Sequence, residues 1–137
     1  MDDLADERYL RHLRQVVIAL AHHGNVVMVG RGAQIFLPSK CYLSVRLVAP
    51  MDLRVQRVAE RKNLSPEQAR SMIEQIEADR AAFIYKHFKK NAASPLNYDL
   101  TINTGEISLH SASEIILSAL QMKLGFVIPP MAHRSGL

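Results

Sequence analysis

The spacing of apolar positions changes several times along the 137-residue chain, and each change marks an element. Between residues 4 and 22, Leu10, Leu13, Val17, Leu20 and Ala21 recur at helical spacing, so a helix is predicted that ends at His22-His23-Gly24. Val26 to Val29 is apolar without a break, the pattern of a short strand buried on both faces of a parallel sheet. GAQIFL at 32 to 37 predicts one or two helical turns stopped by Pro38. From Tyr42 to Val48 the residues Leu43, Val45 and Leu47 alternate, which predicts a second strand. Pro50 and Asp52 open a helix that runs to about Lys62. Ser65-Pro66-Glu67-Gln68 opens the next, with a capping hydroxyl, a proline in the first turn and a glutamine to close the box. Ala69, Met72, Ile73, Ile76, Phe83 and Ile84 carry its apolar face to about Phe88. A loop at 91 to 97 leads to a third strand, Leu100 to Asn103, which leaves through Thr104-Gly105. Ser111-Ala112-Ser113-Glu114 has the form of a second capping box, for a helix stopped by Gly125.

Strands that alternate with long helices predict parallel pairing and an α/β layered fold, with ligands beyond the C-terminal ends of the strands. Those ends are Gly30 to Gly32, Ala49 to Asp52, and Asn103 to Glu106. Three short strands are few for a sheet covered on both faces, so part of the sheet is expected to be missing. The expected organisation is a single domain over 1 to 128 and an extended tail over 129 to 137, where two prolines interrupt any periodicity.

Composition narrows the classes of function. No apolar run is long enough to cross a bilayer, and the acidic start MDDLADERYL does not fit a secretory signal, so a cytoplasmic protein without a membrane partner is expected. Cys41 is the only cysteine, which excludes an internal disulfide and a cysteine-based metal set. No histidine pair has metal-ligand spacing, and no zinc-finger or aromatic stacking pattern points to nucleic acid. Residues 54 to 90 hold nine of the seventeen Lys/Arg and five of the thirteen Asp/Glu, so the excess positive charge sits in that segment. A local basic surface suits an anionic ligand or partner, and equally a solvated helical face.

Four groups of residues could carry chemistry. Arg31 lies between Gly30 and Gly32 at the end of a predicted strand, where its planar fork of donors would meet phosphate or carboxylate; the alternative is a turn with a surface arginine. Arg54, Arg57 and Arg61, spaced three and four apart, form one helical stripe that either faces an anion or is relieved by Glu60 and nearby acids. Asp79-Arg80 sits in the middle of the long helix, as a ligand contact or an exposed charge pair. Cys41 follows Lys40 and is expected to start a buried strand.

Taken in order, GNVVMVGRGA at 24 to 33, LSVRLVAPMDLRVQRVAERKNLSPEQA at 43 to 69, ADRAAF at 78 to 83 and YDLTINTGEISL at 98 to 109 resemble the later part of the cytidylate kinase-like family of P-loop nucleoside monophosphate kinases. The likeness runs from about Tyr9 to Leu124. It implies a three-layer fold, a parallel sheet flanked by helices, and phosphoryl transfer from ATP, as its Mg²⁺ complex, to CMP or dCMP. It also implies roles. Gly30, Arg31 and Gly32 would bind the monophosphate nucleotide with Asp79, while Arg57, Arg61 and Arg80 would face the phosphates. Asn103, Thr104 and Gly105 would line the adenine end of the ATP site. Gly32 stands where the cytidylate enzymes of the family carry an aspartate that helps bind the cytidine nucleotide. The family's GxxxxGK[ST] loop, which cradles the β-phosphate and holds Mg²⁺, has no counterpart in this sequence. The resemblance therefore implies an incomplete P-loop kinase-like fold, truncated at its N-terminus relative to the family and inactive alone. The alternatives are a non-catalytic nucleotide-binding relative and an interaction module that self-associates through exposed sheet edges.

Overall fold

A computed structural model of the chain describes residues 3–30 and 32–125. Helix α1 (Asp3–His23) is followed by two single 3-10 turns, Ala33–Phe36 and Ser39–Cys41. Strand β1 (Val45–Val48) leads into α2 (Met51–Lys62) and α3 (Pro66–Phe88); strand β2 (Leu100–Asn103) and helix α4 (Leu109–Leu124) complete the order. The expected short parallel sheet among helices is present. β1 and β2 pair in parallel, with Val45 opposite Leu100 and Val48 opposite Asn103. Both strands therefore end at the same edge, beside the start of α2 and the turn after β2.

Local chemistry explains most boundaries. The Ser65 hydroxyl accepts from the Gln68 amide at 3.2 Å and the Gln68 side chain accepts from the Ser65 amide at 3.0 Å, so the predicted capping box closes. Asn63 ends α2 and Gly125 ends α4 in the left-handed conformation. The second predicted box does not form. α4 begins earlier, because Ser108 accepts from the Ser111 amide at 3.1 Å, while Ser113 donates back to the His110 carbonyl.

Two strand expectations are corrected. Tyr42, Leu43 and Ser44 are not part of β1. The Ser44 amide donates to the Asp99 carboxylate at 2.8 Å, and its carbonyl accepts from the Asp99 and Leu100 amides, so the ladder starts only at Val45. Val26 to Val29 forms no strand at all. Gly24 and Asn25 before it and Gly30 after it have positive φ, and Val27 and Val29 are 92% and 90% exposed. Four apolar residues in a row become a strand only when another strand accepts their backbone groups, and none of the described residues does. Cys41 is also corrected: it is exposed, in a 3-10 turn.

The core is divided. Val55 of α2 packs with Ala69 and Ile73 of α3, supported by Met51, Val58 and Ala59. A second cluster joins α1, the first 3-10 turn and the end of α3 through edge-on ring contacts, Tyr9 with Phe83 and Phe36 with Phe88, and through the Asp6–Lys86 ion pair. The Lys86 ammonium holds the half-buried Asp6 carboxyl below its usual range. No large side chain among the described residues is fully buried.

Candidate functional site

Helix α3 is the spine on which the candidate residues gather. Near its middle, Glu77 forms an ion pair with Arg54 in the first turn of α2, which sets α3 beside the end of β1. Farther along, Ile84 and Phe88 meet the loop before the first 3-10 turn. Gly32 is buried there at φ 65°, and a Cβ on it would lie 2.8 Å from Ile84 Cδ1 and 3.3 Å from Phe88 Cε2. The position thus needs glycine for backbone angle and for space. At about 1.5 Å rise per residue, Arg80 stands roughly 4–5 Å beyond Glu77 and about 6 Å short of Ile84. Asp79 and Arg80 therefore lie between the strand end and the Gly30–Gly32 loop. Arg31 itself falls outside the described residues.

The three arginines of the α2 stripe meet different surroundings. Arg54 is paired with Glu77 on α3, so its relief comes from the facing helix and not from Glu60, which accepts from Gln56. Arg57 turns to the sheet end, where Nη1 donates to Thr104 Oγ1 at 3.0 Å and Nη2 to the Thr104 carbonyl at 2.9 Å. Arg61 is exposed in the last turn of α2 and makes no hydrogen bond or ion pair among the described residues; Arg80 is alike in this. Arg61 lies seven residues from Arg54, about 10 Å along the helix, and is not brought to Arg80. Asp79 accepts from Gln75 at 2.8 Å and forms no ion pair with Arg80.

The turn after β2 is built tightly. Asn103 Oδ1 accepts from the Gly105 amide at 2.9 Å, and the Asn103 carbonyl accepts from the Glu106 and Ile107 amides. Thr104, 8% exposed, sends both its amide and its hydroxyl to the Val48 carbonyl, at 2.8 and 3.2 Å. A Cβ on Gly105 would come within 2.8 Å of Pro50 Cδ, so the turn sits directly on the entry to α2.

A third cluster, to which the sequence pattern gave no role, lies at the opposite end of the strands. Asp99 accepts from Lys123 at 2.6 Å and from the Ser44 amide, while Tyr42 donates to the Gln34 carbonyl at 2.6 Å. Burial alone would raise the Asp99 carboxyl, but the Lys123 ammonium and the Ser44 amide outweigh it and hold the group below its usual range. Burial, helped by the charge of Asp99, pushes the Tyr42 phenol up. These groups border a cavity of about 220 Å³ with Lys90 and Ser39.

Among the described residues no group of three His, Cys, Asp or Glu could hold a metal ion, and no helix is long and apolar enough to cross a membrane.

Comparison with known proteins decides the family. A profile of the cytidylate kinase-like family matches residues 1–106. The chain belongs to the cytidylate kinase-like family. A cytidylate kinase of Methanobrevibacter smithii is 32% identical over 98 residues, which cover 72% of this chain and 56% of that protein. A protein of Corynebacterium glutamicum named uronate isomerase is 27% identical over 114 residues, 82% of this chain and 22% of that protein. The chain thus spans about half of one curated relative and about a fifth of the other. A crystal structure of an uncharacterized protein from Eubacterium ventriosum superposes with a TM-score of 0.72 at 20% identity, over 82% of this chain and 62% of that one, and supports the fold.

Proposed function

We propose that this cytidylate kinase-like chain forms the acceptor side of a nucleoside monophosphate kinase cleft and binds CMP or dCMP. Arg80 carries the reading. It has no partner among the described residues, and it stands on α3 between the end of β1 and the Gly30–Gly32 loop. A cation left without a counter-ion on the helix that packs against a glycine loop suits a phosphate. In this reading Asp79 would accept from the sugar or base, and Arg31 would add a second guanidinium. Arg61, at the far end of α2, would reach a phosphate only after a closing movement, as a lid residue does. The Asn103–Gly105 turn would present its backbone to the adenine of ATP. Phosphoryl transfer is chiefly positioning and charge neutralisation, and the 137 residues contain no GK[ST] to hold the β-phosphate or Mg²⁺. Alone they are expected to transfer little or no phosphoryl group. The uronate isomerase name is not carried over, because the likeness covers about a fifth of that protein.

Calorimetric titration with CMP, dCMP and ATP tests the reading. CMP should bind, and Arg80→Ala should weaken it by about tenfold, the loss of one charge-assisted hydrogen bond. Absence of binding heat for all three at millimolar concentration would refute it, and ATP-dependent CDP formation by the pure chain would refute its inactivity.

One observation favours a second reading, a protein-interaction module in the cytoplasm. Val26, Val27 and Val29 are exposed beside the loop, as is Leu47 on β1, and β1 pairs only with β2 among the described residues. Association in solution by light scattering would support it; a monomer throughout would sink it.

A further inference from the structure

Arg57 differs from Arg61 and Arg80 in what it would lose by moving. Its planar fork spans two acceptors of one buried residue, Thr104. Thr104 in turn holds the Val48 carbonyl through its amide and hydroxyl. One side chain of α2 therefore ties together the end of β1, the end of β2 and the turn that follows. If Arg57 left for a ligand phosphate, the Thr104 carbonyl would lose its charged donor in a buried setting, which is costly. Arg61 and Arg80 face no such cost, since neither has a partner among the described residues.

We propose that Arg57 is a positioning residue: its two hydrogen bonds to Thr104 fix the Asn103–Gly105 turn, and it does not contact the phosphates. The fixed turn keeps Gly105 and Glu106 exposed and in place at the strand ends. The nucleotide that the turn would receive rests on the function proposed above; the clamp does not.

Amide hydrogen exchange measured by NMR on the whole chain tests the clamp directly. In Arg57→Ala the Gly105, Glu106 and Ile107 amides should exchange about tenfold faster or more, while β1 and the α2–α3 pair keep their rates. Arg57→Lys should not rescue the turn, because an ammonium lacks the planar fork that spans both acceptors. Thr104→Ser should preserve the protection, since both acceptors remain. Thr104→Val, nearly isosteric, should lose part of it and serves if Arg57→Ala does not fold. Unchanged turn amides in Arg57→Ala and Thr104→Val would overturn the proposal, as would a uniform acceleration over the whole chain. Nucleotide titration adds a readout that a merely structural role would not move. Arg57→Ala should weaken ATP by about fivefold or more and leave CMP within about twofold. Equal weakening of both would overturn the positioning role. If the chain binds neither nucleotide, the proposed function fails, and the turn amides still decide the clamp.

Discussion

Gly32→Ala perturbs the seat of the glycine loop on α3, and its cost divides into two parts. The first is the backbone. At φ 65° an alanine pays about 1–2 kcal/mol for the left-handed conformation, offset by about 0.4–1 kcal/mol from its stiffer unfolded chain. The second is space. The new Cβ would lie 2.8 Å from Ile84 Cδ1, with Ile35 Cδ1 and Phe88 Cε2 at 3.3 Å. Because Cδ1 is the end of a flexible side chain, the low end of the overpacking range applies, about 1 kcal/mol. The sum is about 2 kcal/mol, or a fall in urea midpoint of about 1 M at a typical m-value. Gly30→Ala is the control. Its φ is 78° and nothing lies within 4 Å of its Cβ, so only the backbone part remains, about 1 kcal/mol or less. Ile84→Val removes the clashing methyl, costs about 1 kcal/mol alone, and should cancel the steric part in combination with Gly32→Ala. The double-mutant cycle should show a favourable coupling of about 1 kcal/mol. Equal losses for Gly32→Ala and Gly30→Ala, or strict additivity with Ile84→Val, would refute the seating of the loop on α3.

Three further outcomes are expected. Ser65→Ala should cost about 1 kcal/mol by urea unfolding, with Gln68→Ala costing less because the serine still caps; no loss for Ser65→Ala would exclude the box as a start signal for α3. The Asp99 carboxyl is lowered in the folded chain, so its stabilisation is complete above the ordinary aspartate range and is lost as pH falls through that range toward the folded value. The gap in unfolding midpoint between the native chain and Asp99→Asn should therefore be full at neutral pH and shrink below about pH 4, and a gap that does not change with pH would remove the role given to Lys123 and the Ser44 amide. Val27→Lys with Val29→Lys should raise solubility and leave thermal stability within about 0.5 kcal/mol, since neither valine is buried; a large loss of stability would mean that these side chains are covered in solution.

What the sequence made legible was local. The Ser65–Gln68 box acts over three residues, and the stops at Gly24 and Gly125 need only their own backbone angles. The Ser111–Glu114 box failed although its residues fit, because the helix starts three residues earlier, where the Ser108 hydroxyl caps the Ser111 amide. Val26 to Val29 failed for a different reason. A strand is a property of two segments, and apolar runs carry no sign of whether the second segment is there to accept them. The same limit hid the Ser44–Asp99 link, which joins residues 55 apart.

The arginine stripe shows where this limit touches function. Spacing placed Arg54, Arg57 and Arg61 on one helix, yet their fates depend on residues 23 and 47 positions away, or on none among those described. Glu77 neutralises the first, and Thr104 engages the second through two geometrically matched acceptors. A row of three like charges could face one anion or be relieved by nearby acids; the fold gives two of the three internal partners. Whatever anion the chain binds is then left to the cations that internal partners have not claimed. On α3 that is Arg80, one turn before Ile84, which packs against Gly32, where backbone and packing both exclude a side chain. If a phosphate binds there, its affinity should follow Arg80 directly, and Arg54 should act only through Glu77, the carboxylate that it neutralises one turn from Arg80.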